Sequence, residues 1–387
     1  MSADSAKIAF CLIGDSDIRP FNLSPRERLR RSFARAGIAT EIAYTETETW
    51  DGAVIVVRAD YVMDDGLVAA MANAVGIALR ADNGDVVAVH AGHTHARAGV
   101  EVISGQRNAE EADFAFQSAS ELASTYSKAL RKRARPILVH AGAGQAAIEK
   151  LLFGGSYKGV TDLVTKYVWP LPALLVTRLC ARHGITPNMV TWVSLGCVIL
   201  ATALFWHGWF VWGLVAAWGM CFLDTVDGKL ARCTLTSTKL GDVFDHGIDL
   251  LHPPFWYYAW FAGLGAVIAA PLSWALWVVI LGYVAGRLQE GLFIWRFGIE
   301  IHTWRPVDSW FRLITARRNP NLLILTVAAL LKAPDTGLEL IAWWTIVSFI
   351  FHCVRIAQAF YARMAGRPPR SWLQAPLDPR TAEAKAA

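Results

Sequence analysis

Long apolar stretches fill most of the chain after residue 165, and they restrict its possible folds more than any other feature. A helix that crosses a bilayer needs about 20 mainly apolar residues, and several such runs in one chain indicate a membrane protein. The runs lie at 189–206, 209–223, 243–265, 271–294, 320–333 and 338–360. We therefore expect an all-α bundle of six transmembrane helices.

The charged residues between these runs predict how the bundle is oriented. Only 18% of the residues are charged, against about 25% in soluble domains, which disfavours a soluble helical bundle. Lys and Arg occur in 232–239, 296–318 and 363–370, whereas 207–208 and 266–270 carry none. Basic loops face the cytoplasm. We expect an integral protein of the bacterial inner membrane, with both termini cytoplasmic and no nucleic-acid partner.

Residues 1–150 have the pattern of a soluble α/β domain. Short apolar runs predict strands at 8–14, 53–60, 85–92 and 135–141, and the last strand is expected to complete the sheet. A helix is predicted over 24–38, because Ser24 can cap its start and Gly37 can end it. A second helix is predicted over 110–133.

The chain between the soluble domain and the first span has a mixed character. Residues 151–188 combine aromatic, aliphatic and basic residues, which predicts an amphipathic segment at the membrane surface. The membrane domain is then expected to cover 189–365. Residues 366–387 would form a cytoplasmic tail.

Four aspartates stand where the second and third apolar runs meet their cytoplasmic loop. They are Asp224, Asp227, Asp245 and Asp249. Helical spacing puts Gly228 and Ala231 on the same face as the first two, and Gly241 on the same face as the last two. Two such faces joined by a short loop can direct all four carboxylates into one pocket.

Like charges at the edge of the hydrocarbon are costly unless cations lie between them. Carboxylate oxygens favour Mg²⁺ or Mn²⁺, which would hold a diphosphate and stabilise a leaving phosphate. Gly228 and Ala231 leave room for a nucleotide, and Arg232 suits phosphate oxygens. Two alternatives stay open. Single aspartates also cap helices or pair with Arg232 and Lys239, and intramembrane carboxylates also mark ion pathways.

The same residues resemble the signature of the CDP-alcohol phosphatidyltransferase family, D-x2-D-G-x2-A-R-x8-G-x3-D-x3-D. Every fixed position from Asp224 to Asp249 matches, and ITPNMVT at 185–191 is similar to the family's Thr-Pro-Asn motif before the first span. The resemblance covers about 155–365. It implies that an acceptor hydroxyl attacks the β-phosphorus of a CDP-linked alcohol, releasing CMP and forming a phosphodiester with the help of a divalent metal.

The resemblance also implies roles for single residues. Asp249 would be the general base and also contact a metal, and the other three aspartates would hold the metals and the diphosphate. The CDP site would be lined by Gly228, Ala231, Arg232 and Gly241. Arg317 and Arg318 are expected to bind an anionic head group or an acceptor phosphate, although they suit a role in topology equally well. Arg305 and Arg312 suit the topological role better.

A soluble domain before the spans resembles the bifunctional inositol-phosphate cytidylyltransferase and di-inositol-phosphate-phosphate synthase enzymes. This resemblance implies a nucleotidyltransferase-like fold with Asp60 as a metal ligand, and substrate contacts from Lys158, Asp162 and Arg178. The Gly-rich phosphate loop of those enzymes is missing, since Gly14 is followed by acidic residues that repel phosphate. We expect a degenerate domain for scaffolding or regulation. A bifunctional enzyme that also uses CTP is the alternative.

The substrates stay open at this stage. The donor is either of the CDP-diacylglycerol type or of the CDP-inositol type, and the acceptor hydroxyl belongs to inositol, a phosphorylated polyol or a lipid alcohol. Membrane lipid is an expected partner, and the family suggests a homodimer. A non-enzymatic carrier or scaffold is the alternative from another class, and it would release no CMP.

Overall fold

The structure is a computed structural model that describes residues 7–47 and 49–374; the side chains of residues 109, 239, 240 and 242 are not described. Most of the predicted tail, 375–387, lies outside the described residues. A mixed α/β unit comes first, and a set of long helices follows it.

Nine strands lie in the part of the N-terminal unit that the structure describes. They are β1 (Ile8–Ile13), β2 (Ala53–Arg58), β3 (Tyr61–Met63), β4 (Ile77–Arg80), β5 (Val86–Ala91), β6 (Ala115–Ser118), β7 (Tyr126–Ser127), β8 (Lys132–Arg133) and β9 (Leu138–His140). Five of them form one sheet in the order β1-β2-β5-β4-β6. The β1–β2 and β4–β6 pairs are parallel, and β5 runs antiparallel to both of its neighbours.

The helix α1 (Pro25–Arg35) connects the parallel strands β1 and β2. Its start is capped by Ser24, whose hydroxyl accepts the Glu27 N–H at 3.2 Å, and Gly37 follows it with φ +85°. Leu29 and Phe33 are buried against the sheet. The predicted α/β character and this helix are confirmed. Two further helices cover the sheet, α2 (Asp65–Ala72) and α3 (Ala96–Ile103).

Two predictions for this unit are wrong. The segment 110–133 is not one helix: it contains β6, the four-residue helix α4 (Ala119–Leu122), β7 and β8. Its helix-forming residues are overridden by tertiary pairing, since β6 joins the sheet and the chain is extended again at Ala123. The run 135–141 does not complete the main sheet either. Its strand β9 pairs with β3, because β3 leaves the sheet after β2 and offers a separate edge.

Helices make up the rest of the described chain. They are α5 (Gln145–Gly155), α6 (Leu163–Tyr167), α7 (Pro170–Arg182), α8 (Pro187–Trp206), α9 (Phe210–Cys233), α10 (Lys239–Gly263), α11 (Ala266–Ala269), α12 (Ser273–Phe297), α13 (Pro306–Phe311), α14 (Arg318–Leu330) and α15 (Pro334–Met364). Each of the six predicted spans overlaps one of these helices: α8, α9, α10, α12, α14 and α15.

Among the described residues, four segments are long and apolar enough to cross a membrane: α8, α9, the run Ala266–Phe297 and α15. Large apolar side chains on them point outward, as with Trp212 and Trp295, which are 67% and 81% exposed. These features support an integral membrane protein. Six spans are not confirmed. The 13 residues of α14 reach only about 20 Å, which is short of a hydrocarbon core of about 30 Å. The helix α10 carries Asp245 and Asp249, and it is not among the four apolar segments.

The segment before the first span contains α5, α6 and α7. Along α7 the side chains of Leu171, Leu175 and Leu179 are exposed, while Ala173 and Thr177 on the other side are buried. Because residues four apart share a helix face, the three leucines form one apolar stripe. Its placement at the membrane surface stays a prediction.

Candidate active site

The helix α9 carries the first two aspartates of the signature. Thr191 of α8 donates its hydroxyl to Asp227 Oδ2 at 2.8 Å. The other oxygen, Asp227 Oδ1, is buried and has no hydrogen-bond partner among the described residues. A carboxylate oxygen in that state needs a positive partner, because burial has removed its water.

The helix α10 brings Asp245 to the same place. One carboxylate oxygen from each of Asp224, Asp227 and Asp245 lies within 4.8 Å of the others. We call these three residues the carboxylate triad. Three converging carboxylate oxygens, one of them buried without a partner, suit a hard divalent cation. The donor set therefore fits Mg²⁺ or Mn²⁺, and the geometry does not choose between them.

Asp249 lies beside the triad in an ion pair with an arginine. Arg318 lies at the start of α14. Its Nη1 donates a hydrogen bond to Asp249 Oδ1 and its Nη2 donates one to Asp224 Oδ2, each at 2.5 Å. One guanidinium thus bridges α9 and α10 and balances part of the charge of the four aspartates. The sequence predicts that Arg318 binds an anionic head group or an acceptor phosphate, or that it serves topology. In the structure it pairs with two aspartates instead, and its role toward substrate stays a prediction.

A cavity of about 650 Å³ opens beside the triad. Most residues predicted for the site line it: Asp224, Gly228, Ala231, Arg232, Asp245, Asp249, Lys158, Asp162, Arg317 and Arg318. Asp227 lies behind this wall and is only 3% exposed. Gly228 faces the Arg232 guanidinium, whose Nη2 would be 3.1 Å from a Cβ at this position. A larger residue there would displace Arg232.

Gly241 does not line the cavity, although the sequence places it in the CDP site. A Cβ at this position would lie 2.9 Å from Asn188 Oδ1 and 3.0 Å from Thr238 Oγ1. The glycine instead lets the start of α10 approach the start of α8. Asp162 lines the cavity but also holds helices together. It caps α6 through the Thr165 N–H and accepts from Asn319 Nδ2, each at 3.0 Å.

One part of the cavity lining is basic. Its cations are Arg131, Lys158, Arg287, Arg312 and Arg317. Glu290 pairs with Arg287 and Arg317, Arg131 pairs with Glu300 at 2.6 Å, and Asp162 also lines this part. We call this part of the lining the basic half. Five cations beside three carboxylates leave an excess of positive charge, which attracts an anion.

Burial changes the acid–base properties of the basic half. It lowers the pKa of Arg312 to about 9, helped by the nearby charge of Arg317. Arg312 Nε and Nη1 have no hydrogen-bond partner among the described residues. Burial, with Arg131 and Arg232 close by, also lowers the pKa of Lys158. Burial works to raise the pKa of Asp162, but Arg312 and the hydrogen bonds from Thr165 and Asn319 outweigh it and lower that pKa.

Sequence reasoning missed several of these residues. Arg131, Arg287 and Glu290 carry no motif, and they reach the cavity from two distant parts of the chain, since Arg287 and Glu290 lie one turn apart on α12. From the sequence alone, a basic cytoplasmic loop explains Arg312 better than substrate binding does. Its burial, at 7% exposure, is the signal that separates the two explanations, and only the fold provides it.

Asp60 of the N-terminal unit is engaged in ion pairs. Arg58 Nη2 lies 2.7 Å from its carboxylate, and His140 Nε2 lies 3.4 Å away. The Asp60 carboxylate, which the resemblance to nucleotidyltransferases assigns to a metal, is thus paired with the Arg58 guanidinium. Arg178, another residue of that resemblance, pairs with Glu149 at 2.6 Å.

Comparisons with known proteins concern the membrane half. Residues 184–351 match the family model described as CDP-alcohol phosphatidyltransferase. This match agrees with the motif from Asp224 to Asp249, and it supports phosphate-group transfer as the reaction class. The cytidylyltransferase arrangement predicted for the whole chain is not confirmed.

Similar proteins cover parts of the chain. A phosphatidylinositol phosphate synthase of Mycobacteroides abscessus is 29% identical over 115 residues, 28% of this chain and 52% of that protein. An archaetidylinositol phosphate synthase of Pyrococcus horikoshii is 26% identical over 46% of this chain and 87% of that protein. Ethanolaminephosphotransferase 1 of Pongo abelii is 34% identical over 24% of this chain and 25% of that protein.

The chain thus spans about half the length of the mycobacterial relative and a quarter of the ethanolaminephosphotransferase. Among solved structures, the phosphatidylinositol phosphate synthase of Mycobacterium tuberculosis with CDP-DAG bound aligns with a TM-score of 0.39 and 18% identity. That alignment covers 48% of this chain and 92% of the other.

Proposed function

We propose that the protein is an integral membrane enzyme that transfers a phosphoalcohol group from a CDP-alcohol to an acceptor hydroxyl and releases CMP. The observation that carries the proposal is the carboxylate triad, with Asp227 Oδ1 buried and unpartnered, beside a cavity of about 650 Å³. The family match over residues 184–351 supports the same reaction class.

The carboxylate triad would hold the divalent metal, Mg²⁺ or Mn²⁺. When bound, such an ion neutralises the diphosphate of the donor and stabilises the negative charge that develops on the leaving CMP. Arg232, whose guanidinium lies beside Gly228, would contact the nucleotide phosphates. The small residues Gly228 and Ala231 leave space for the CDP group between α9 and the basic half.

The bond changes follow from this placement. The acceptor oxygen forms a bond to the β-phosphorus, and the bond from that phosphorus to the bridging oxygen breaks. CMP leaves with that oxygen and the electron pair. The proton of the acceptor hydroxyl goes to Asp249, which faces the cavity from α10. Because Arg318 pairs with Asp249 in this structure, we infer that the guanidinium turns to substrate phosphate when substrates bind.

The basic half favours an acceptor that itself carries a phosphate. Arg312 is a buried cation there and Lys158 a partly buried one, and Arg312 has two nitrogens free of hydrogen bonds among the described residues. A neutral polyol or ceramide would leave this charge without a partner. The relatives named phosphatidylinositol phosphate synthase and archaetidylinositol phosphate synthase agree with a phosphorylated polyol as acceptor. A donor of the CDP-diacylglycerol type then fits best, and one of the CDP-inositol type is the alternative.

The remaining assignments belong to the same proposal. The N-terminal unit would be a degenerate nucleotidyltransferase-like domain, because Arg58 pairs with Asp60 and the phosphate loop is missing. The enzyme would lie in the bacterial inner membrane with both termini cytoplasmic, so that the cavity meets soluble substrates. A homodimer and the six-span arrangement are proposed on the family resemblance.

Release of CMP by the purified protein tests this function. CDP-diacylglycerol and CDP-inositol are each offered with inositol, inositol phosphate, glycerol phosphate or ceramide, with Mn²⁺, with Mg²⁺ or with a chelator. We expect CMP with CDP-diacylglycerol and a phosphorylated polyol, and only with metal present. Binding of CDP-alcohols without CMP release from any pair would contradict the proposal, and CMP release with ceramide would overturn the choice of acceptor.

A further inference from the structure

The N-terminal unit touches the end of the helix that carries the first signature aspartates. Three arginines on one face of α1, at i, i+3 and i+7, point toward the end of α9. Arg28 Nη2 donates to the Cys233 carbonyl at 2.6 Å. Arg31 Nη1 donates to the Thr234 carbonyl at 2.9 Å, and Arg35 Nη2 donates to Ser237 Oγ at 2.6 Å. We call these three residues the arginine clamp.

The contacted segment is the short connection between the two aspartate-bearing helices. The helix α9 ends at Cys233 and α10 begins at Lys239. Leu235 in this connection has φ +55°, the left-handed region that non-glycine residues seldom adopt. The Thr236 N–H bonds back to the Ala231 carbonyl at 3.0 Å, as in a Schellman helix end. The clamp therefore supports a connection whose conformation is unfavourable for leucine alone.

The chemistry of the contact suits its position. The last carbonyls of a helix carry partial negative charge, and cations at that end are favourable. Arg28 is almost fully buried, at 3% exposure, so its bond to Cys233 is shielded from water. Arg35 is fixed in turn by Asp65 at 2.7 Å, which ties the clamp to α2 of the N-terminal unit.

The connection determines how α9 and α10 meet. Asp224 and Asp227 precede it and Asp245 follows it, so a shift of this segment moves the carboxylates of the triad relative to one another. We propose that the arginine clamp of the N-terminal unit positions the carboxylate triad, and that Arg28, Arg31 and Arg35 are positioning residues for metal binding. The inference rests on the proposed function for the role of the triad.

This gives the N-terminal unit a task that needs no nucleotide chemistry. A unit that has lost cytidylyl transfer still keeps the geometry of the metal site through α1. Two of the three contacts go to backbone carbonyls, of Cys233 at the end of α9 and of Thr234 in the connection. These two contacts tolerate a change of the contacted side chain better than an ion pair would.

The test uses the full-length protein in detergent and replaces the two half-exposed arginines together, Arg31→Gln with Arg35→Gln. Arg28 is spared because its burial makes a folding defect the expected result. Arg30→Gln is the matched control: Arg30 lies on the same helix, but it pairs with Glu41 of the N-terminal unit at 2.6 Å. Two quantities are measured: Mn²⁺ affinity by titration of the free-ion spin-resonance signal, and amide hydrogen exchange of peptides covering 230–241.

We expect the double variant to bind Mn²⁺ at least threefold more weakly and to exchange amides 230–241 at least fivefold faster, while Arg30→Gln matches the unchanged protein. A double variant with unchanged Mn²⁺ affinity and unchanged exchange would overturn the clamp. If the unchanged protein binds Mn²⁺ but releases no CMP, the proposed function fails and the clamp is still judged by these two measurements. If the unchanged protein binds no Mn²⁺, the assignment of the triad as a metal site fails. The clamp is then judged by the amide hydrogen exchange of 230–241 alone.

Discussion

Asp227 shows most clearly what the site requires of a single residue. Its carboxylate lies behind the cavity wall, with Oδ2 bonded to Thr191 and Oδ1 unpartnered among the described residues. Leaving a buried charged oxygen unsatisfied costs several kcal/mol. The sequence predicted this residue from its helical spacing to Asp224, but it could not show that Thr191 of a neighbouring helix fixes the orientation.

Asp249 is the residue to which proton removal is assigned. Replacing it by Asn keeps the size of the side chain and removes the basic oxygen, so we expect CMP release to fall at least 100-fold. Donor binding should change little, because the triad is intact. The check is a kcat measurement together with metal-dependent CDP-alcohol binding. Activity within a few-fold of the unchanged enzyme would remove Asp249 from the role of base.

Arg312 gives a prediction for acceptor binding. Its guanidinium is buried in the basic half, and Nε and Nη1 have no hydrogen-bond partner among the described residues. Replacing it by Gln removes a cation that would bind the acceptor phosphate. We therefore expect Arg312→Gln to raise KM for a phosphorylated acceptor at least tenfold at neutral pH, measured by steady-state release of CMP. An unchanged KM in the variant would remove Arg312 from the acceptor site.

At the scale of elements, the sequence was reliable where one periodic pattern ran through a whole segment. The apolar runs overlapped α8, α9, α10, α12, α14 and α15, and the caps at Ser24 and Gly37 marked α1. It failed at 110–133, where good helix formers pair as short strands in a context that only the sheet provides. The basic half could not be predicted from the sequence for a similar reason, because its cations come from segments far apart in the chain.

Gly241 lies where α10 packs against α8, so its replacement should lower the stability of the fold. Gly241→Val places carbon atoms where Asn188 Oδ1 and Thr238 Oγ1 lie within about 3 Å, and such overpacking typically costs about 1–3 kcal/mol. We expect a clearly lower melting temperature in detergent. Gly247→Val is the control, since a Cβ there meets no heavy atom within 4 Å. Equal melting temperatures for both variants would contradict this role.

At the scale of the whole molecule, the division into an α/β unit and a membrane bundle followed from the uneven distribution of apolar residues. How the two parts contact each other did not, because the bonds of Arg28, Arg31 and Arg35 to α9 and its connection join residues about 200 positions apart. No local pattern distinguishes these arginines from Arg26 or Arg30 on the same helix.

The proposal that the N-terminal unit is degenerate gives a prediction for Asp60. Asp60→Ala removes a partly exposed ion pair with Arg58, which is worth about 0–1 kcal/mol, so CMP release from a supplied CDP-alcohol should not change. The same preparation is assayed for formation of a CDP-alcohol from CTP and a phosphorylated alcohol. A CTP-dependent activity that Asp60→Ala abolishes would establish a bifunctional enzyme instead.

The most direct test of the whole account joins metal binding to CMP release at Asp227. Mn²⁺ affinity and CMP release are measured on the same preparations of the unchanged protein and Asp227→Asn, both folded by melting temperature. We predict that the substitution weakens Mn²⁺ binding at least tenfold and that CMP release falls with it, because the buried Oδ1 needs the ion. Unchanged Mn²⁺ affinity with full CMP release in Asp227→Asn would contradict the account.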